Sequence, residues 1–144
     1  MAILFLCMAN ASRSQLAEGL SRHIAPEVEV FSAGFRPTVV NAKAALALAE
    51  IGIDASTQWS KGLRDVPLHR VRTVVHLVGE VECVVPIPRA EHLDWQLPDP
   101  TSMDDFRIVR DYLRERLERY FFEERVPRNT LWSTPTGIRR RYSA

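Results

Sequence analysis

The chain has 144 residues, of which 46% are hydrophobic and 26% charged, and its formal net charge is +1. This length suits one domain, and the near-neutral charge gives no reason to expect a nucleic-acid or membrane partner. Two cysteines are too few for a secreted disulfide framework or a four-cysteine zinc site. We expect neither a metal nor a cofactor. The apolar start lacks the basic region of a signal peptide, and no apolar run reaches the roughly 18 residues of a membrane span, so we expect a cytoplasmic protein.

The first half of the sequence predicts two strand–helix units. The apolar run from Ala2 to Leu6 is typical of a strand buried on both faces, and the spacing of apolar residues between Leu16 and Ile24 predicts a helix after it. Val28 to Phe31 predicts a second strand. The Ala/Leu-rich stretch 41–50 predicts a second helix, which Gly52 would end.

The middle of the sequence predicts the rest of a sheet. Residues 54–67 are polar and mixed, and the pair Ser60-Lys61 could open a short helix there. Residues 71–78 predict a third central strand. A proline-containing connection then leads to a short edge strand near His92 and Leu93.

The last predicted element is a long amphipathic helix with Ser102 as its N-cap and apolar residues recurring as far as Tyr120. Strands that alternate with helices predict an α/β domain built on a parallel sheet. We assign residues 1–126 to a single domain. Residues 127–144, which include the basic run Arg139-Arg140-Arg141, are more typical of a solvated C-terminal tail than of a binding patch.

The candidate chemistry lies between the first strand and the first helix. Parallel sheets bind ligands at the carboxyl ends of their strands, and small side chains in such a loop let successive backbone N–H groups converge on an anion at a helix N-terminus. An arginine can close the site with a two-pronged bond, and the same positive field would hold a cysteine as the thiolate. The segment is Cys7, Met8, Ala9, Asn10, Ala11, Ser12, Arg13 and Ser14. It predicts a nucleophile and an oxyanion site made by eight consecutive residues.

Individual side chains in this loop suggest individual roles. Ser14 can hydrogen-bond the Cys7 sulfur or the leaving group, and Asn10 can brace the loop. A bare cysteine and arginine six positions apart is a weak motif, and Cys7 alone would equally suit a small buried residue at the end of a core strand. The position of this motif between a strand and a helix favours the catalytic interpretation.

Three further motifs follow in order: Phe31-Ser32-Ala33-Gly34, Glu50-Ile51-Gly52-Ile53-Asp54, and Trp95 with Pro98-Asp99-Pro100. With the Cys7 loop they resemble the low-molecular-weight protein tyrosine phosphatase superfamily over residues 2 to about 124, closest to the thioredoxin-type arsenate reductases within it. The resemblance implies a three-layer sandwich with a four-stranded parallel sheet flanked by helices. It also implies Cys7 as nucleophile, Arg13 as oxyanion binder and Asp99 as general acid.

Asp99 also has a physical case of its own. Expelling an oxide or alkoxide requires a proton, and a carboxyl group in a proline-framed loop can be held in place to give it. Taken alone, the Asp-Pro pair would rather indicate a turn. Beside the Cys7 loop, the general acid is the better interpretation.

Cys83 bears on the choice between two reactions. A phosphatase needs one cysteine, because water hydrolyses the cysteinyl-phosphate, whereas an arsenate reductase needs a second thiol to attack the Cys7 adduct. Cys83 matches the resolving cysteine of the reductases, and Thr101 stands where the phosphatases usually carry an aromatic residue. The leading hypothesis is an arsenate-reductase-like enzyme regenerated by thioredoxin or a small thiol. Its alternative is a phosphatase acting on phosphotyrosine or small phosphomonoesters.

Some positions leave other interpretations open. Val78 stands where three-cysteine reductases carry a middle thiol, Ala9 stands where many relatives have glycine, and Cys83 could be an incidental loop cysteine. An oxyanion-binding module without turnover is a third hypothesis, against which the presence of both Cys7 and Asp99 speaks. Through the resemblance, Glu18 and Ser32 match positions that bind a potassium ion in some arsenate reductases, although Glu18 would equally suit a solvated helix carboxylate.

Overall fold

Four parallel strands form one sheet in the order β2-β1-β3-β4. The structure, a computed structural model, describes residues 1–78, 87 and 89–124, so that Cys83 and the predicted tail 127–144 lie outside the described residues. The strands are β1 (Ala2–Cys7), β2 (Glu29–Gly34), β3 (Val71–His76) and β4 (Glu91–Asp94). The predicted four-stranded parallel sheet is confirmed, and its central strand β1 ends at Cys7.

Three helices follow the strands as predicted. They are α1 (Arg13–Ile24), α2 (Ala42–Ala49) and α3 (Met103–Arg119), and α3 continues into a π-helical turn over Tyr120–Glu124. Gly52, with a φ of +81°, closes α2 in the left-handed conformation that glycine adopts without strain. Ser102 caps α3 and accepts from the amide of Asp105, as predicted.

Two local predictions were wrong. No helix opens at Ser60-Lys61; the nearest helical residues form a 3-10 turn at Leu63–Asp65, with a second at Leu68–Arg70. Lys61 stays extended because its carbonyl accepts from the amide of Gly34 at 2.9 Å, which extends the sheet by one bridge. The third strand stops at His76 rather than at 78, since β1 beside it leaves the sheet after Cys7.

Both faces of β1 are buried, in agreement with its continuous apolar run. Ile3 and Phe5 pack on one face against a core formed with α1, α2 and α3, while Leu4 and Leu6 pack on the other against the segment that carries the 3-10 turns. Phe5 and Leu4 are each 0% exposed. A Phe5→Ala change would cost about 3–5 kcal/mol. This packing on both sides fixes the carboxyl end of β1, where Cys7 lies.

Candidate active site

The loop of residues 8–12 links β1 to α1 in one tight turn. Cys7 is 3% exposed at the end of β1, and Arg13 opens α1. Asn10 has a φ of +50°, the one non-glycine residue in the described part of the chain with a positive φ, and asparagine is among the side chains that tolerate this region best. The loop therefore turns back on itself where its cradle for an anion was predicted.

The carbonyl oxygens of all five loop residues accept hydrogen bonds from the surrounding structure. Their donors are the amides of Arg36 (to Met8, 2.8 Å), Thr38 (to Ala9, 3.2 Å), Asn41 (to Ala11, 2.9 Å) and Leu16 (to Ser12, 2.9 Å), and the side chain of Gln15 (to Asn10, 3.0 Å). By contrast, the amides from Ala9 to Ser12 donate to no acceptor within the described residues. A run of free N–H groups before a helix N-terminus is the arrangement that binds tetrahedral oxyanions.

Gly34 allows this loop to lie against β2. A Cβ atom at Gly34 would come within 2.6 Å of the amide nitrogen of Asn10 and 2.7 Å of the carbonyl oxygen of Met8. Both are backbone atoms, so they could not move aside as the end of a side chain can. From the sequence, Gly34 was predicted only as part of the Phe31-Ser32-Ala33-Gly34 motif. A glycine inside a strand often marks a close backbone approach, and this was the available signal.

A short hydrogen-bond chain reaches the Cys7 sulfur. The Ser14 hydroxyl lies 2.8 Å from Sγ, and the side-chain amide of Asn10 donates to the same hydroxyl at 2.7 Å. Asn10 Oδ1 is occupied by the amide of Lys61 at 2.7 Å, which fixes the orientation of the side chain. In the contact between Ser14 and Cys7, either the hydroxyl or the thiol can be the donor. The predicted contact of Ser14 with the sulfur is present.

Arg13 and Asp99 approach each other at the mouth of the loop. Arg13 donates to the carbonyl of Leu97 at 3.1 Å, and its other terminal nitrogen lies 3.9 Å from Asp99 Oδ1. The Arg13 side chain is 14% exposed and that of Asp99 is 70% exposed. The structure thus brings the predicted acid to the predicted oxyanion binder, on the solvent side of the site.

The segment that carries Asp99 is tied down on its far side. Lys43, in the first turn of α2, donates to the carbonyl of Thr101 at 2.8 Å. The carboxylate of Asp105 accepts from the Thr101 hydroxyl at 3.0 Å and from the amides of Thr101 and Ser102 at 3.2 Å. Its bonds with Ser102 and then with Thr101 hold the pKa of Asp105 below the usual range of an aspartate. The start of α3 is therefore a fixed support for the Asp99 loop.

A buried ion pair lies behind the loop. Glu18 is 1% exposed and Lys61 6%, and their Oε1 and Nζ atoms are 3.3 Å apart. Ser32 donates to the same Glu18 oxygen at 2.9 Å. Glu18 and Ser32 do meet, as their resemblance to cation-binding positions implied, but the charge beside them belongs to Lys61. The sequence did not indicate this role, because the pair Ser60-Lys61 suggested a helix start.

Among the described residues, no group of three or more histidine, cysteine, aspartate or glutamate side chains is placed to hold a metal ion. No helix within that same part of the chain combines the length and the apolar character required to cross a membrane.

Known proteins are similar to this chain in both sequence and fold. An arsenate reductase of Bacillus licheniformis is 34% identical, over 82% of this chain and 93% of the relative. A solved arsenate reductase in its phosphate-binding state is 32% identical, with a TM-score of 0.73 over 81% of this chain and 93% of that one. A thioredoxin-dependent arsenate reductase of Corynebacterium glutamicum is 25% identical, with a TM-score of 0.68. The match covers 97% of this chain and 62% of that one.

The family model of the low molecular weight phosphotyrosine protein phosphatases matches residues 2–131. That span contains the Cys7 loop, Asp99 and every strand of the sheet. The chain is an enzyme, and it belongs to the low molecular weight phosphotyrosine protein phosphatase family.

Proposed function

We propose that the chain is an arsenate reductase in which the Cys7 thiolate attacks an arsenate held by the loop amides and Arg13. The observation that carries the proposal is the loop itself, with its carbonyls bonded outward and a Ser14 hydroxyl 2.8 Å from the sulfur. Its similarity to arsenate reductases, at 34% identity over most of the chain, favours arsenate as the oxyanion.

The first step forms a bond between Cys7 Sγ and arsenic and expels one arsenate oxygen. That oxygen leaves as water when it receives a proton, for which Asp99 at the mouth is the proposed donor. In the second step another thiolate attacks Cys7 Sγ. A disulfide forms and the sulfur–arsenic bond breaks. The electron pair of the broken bond stays on arsenic, which is released as arsenite. Cys83 is the proposed second thiol, and thioredoxin or a small thiol is the proposed reductant of the disulfide.

A phosphatase is the second candidate. The family model describes phosphatases, and Arg13 with Asp99 at the mouth supplies what hydrolysis of a phosphomonoester needs: an oxyanion clamp and an acid. Only Cys7 and water are then required.

A side-by-side assay separates the two. Wild type, Cys7→Ser and Cys83→Ser are tested for arsenate reduction with thioredoxin or glutathione as donor, and for hydrolysis of an aryl phosphate. We expect Cys7→Ser to lose both reactions, and Cys83→Ser to lose reduction while any hydrolysis persists. Peptide mapping after turnover should find a Cys7–Cys83 disulfide. Full arsenate reduction by Cys83→Ser would exclude Cys83 as the second thiol. A wild type that hydrolyses phosphate esters but reduces no arsenate would favour the phosphatase.

A further inference from the structure

The buried pair of Glu18 and Lys61 has no part in the chemistry proposed above. Removing two opposite charges from water is costly, and removing only one of the two partners would leave the other charge buried and unpaired. Lys61 Nζ is close to two oxygens, the Glu18 carboxylate at 3.3 Å and the carbonyl of Trp59 at 2.7 Å. The indole ring of Trp59 also lies beside it, 5.4 Å from Nζ to the ring centroid.

Segment 59–61 is the outer support of the oxyanion loop. The Trp59 carbonyl accepts from Gln15 at 3.0 Å, the Ser60 hydroxyl donates to the Ala9 carbonyl at 3.0 Å, and the Lys61 amide donates to Asn10 Oδ1 at 2.7 Å. Every residue of the segment thus bonds the loop or the first turn of α1. Asn10 in turn orients the Ser14 hydroxyl that faces Cys7.

The Lys61 ammonium adds a charged link between this segment and Glu18 of α1. Without it, the buried Glu18 carboxylate would face the Trp59 carbonyl and the Ser32 hydroxyl with no buried positive charge beside them. Arg22 is a poor replacement, because it lies 3.8 Å from Glu18 and its side chain is 53% exposed. Carboxylate, carbonyl and hydroxyl oxygens are the ligands that hard cations prefer, and here the Lys61 ammonium is the cation beside the Glu18 carboxylate and the Trp59 carbonyl.

We propose that Lys61 is a positioning residue that supplies this charge from the chain itself, so that the loop holds Cys7 and Ser14 in place without a bound monovalent cation. The inference rests on the proposed function only in taking the Cys7 loop as the reactive site. It predicts a wild type indifferent to potassium, and a Lys61→Ala variant that has become dependent on it.

Thermal unfolding in 0.2 M KCl, NaCl or choline chloride tests the charge. Wild type should melt at the same temperature in all three salts. Lys61→Ala should melt roughly 10 °C lower in choline chloride, since it leaves a buried carboxylate unpaired, and should regain roughly 3–6 °C in KCl. Arg22→Ala, which removes the other cation at the same oxygen, should show neither effect. A wild type stabilised by KCl over choline chloride would overturn the proposal.

Two further measurements test the proposal if Lys61→Ala folds poorly or if the proposed function is wrong. The Glu18→Gln, Lys61→Ala double variant removes the carboxylate as well and should lose the response to potassium; a retained response would place the ion elsewhere.

Alkylation of Cys7 by iodoacetamide at pH 7 needs no turnover, so it is informative whichever substrate the enzyme uses. Lys61→Ala should react about tenfold more slowly than wild type in choline chloride and recover in KCl. An unchanged rate would separate Lys61 from the Cys7 loop.

Discussion

The two sides of the site are built differently. On the Cys7 side, Asn10 and Ser14 are 0% exposed and every loop carbonyl has a partner. On the opposite side Asp99 is 70% exposed, and its contact with Arg13 spans 3.9 Å. An oxyanion clamp acts through fixed dipoles, so it gains from a rigid frame, whereas an acid that must reach a leaving group tolerates, and uses, an open position.

A change that breaks the rigid side is expected to lower both stability and anion binding. Gly34→Ala forces a methyl group within 2.6 Å of the Asn10 amide, where only backbone could move. We expect a loss of stability of about 2–3 kcal/mol and at least about tenfold weaker binding of phosphate. Calorimetric titration with phosphate and chemical denaturation measure the two quantities.

Gly62→Ala is the matched control for that change. Its new Cβ would meet nothing closer than a side-chain carbon of Pro37 at 3.4 Å, an ordinary contact. Stability should change by no more than about 0.5 kcal/mol and phosphate binding should persist. Equal losses in both variants would show that the close approach at Gly34 does not shape the anion site.

The open side should respond in rate rather than in binding. Asp99→Asn keeps the size of the side chain but cannot donate an acidic proton, so kcat for aryl-phosphate hydrolysis or arsenate reduction should fall about 100-fold or more. Phosphate affinity should change less than about fivefold, because an exposed pair at 3.9 Å contributes little. Asp104→Asn, an exposed carboxylate on α3 paired with Arg107, is the control and should retain its rate. A binding loss as large as the rate loss would make Asp99 part of the anion clamp instead.

The sequence predicted this two-sided site better on one side than on the other. Local patterns were sufficient for the sheet and for the Cys7 loop, because strand, loop and helix are contiguous and their spacing is visible. What the sequence could not show was contact between distant segments. Lys61 and Glu18 are 43 positions apart and form an ion pair only in the folded chain. A lysine in a polar stretch of sequence gives no sign that it will be buried. The role of Gly34 was not predicted for the same reason, since it depends on the loop that passes over this residue.

The smallest expected effect concerns the support of the Asp99 loop and depends on pH. The pKa of Asp105 is lowered by its bonds with Ser102 and Thr101, so its carboxylate stabilises the start of α3 above the usual aspartate pKa of about 3.9, and that contribution is lost as pH falls through the lower folded value. Asp105→Asn should therefore be less stable than wild type at pH 7, and the gap should narrow below about pH 4. Ser102→Ala removes the other half of the cap, a hydroxyl that does not titrate, and should cost about 1 kcal/mol at every pH. Melting temperatures of wild type and of both variants from pH 2 to 8 give the two differences in stability. A gap for Asp105→Asn that stays constant in acid would mean that the side chain acts through its shape and not through its charge.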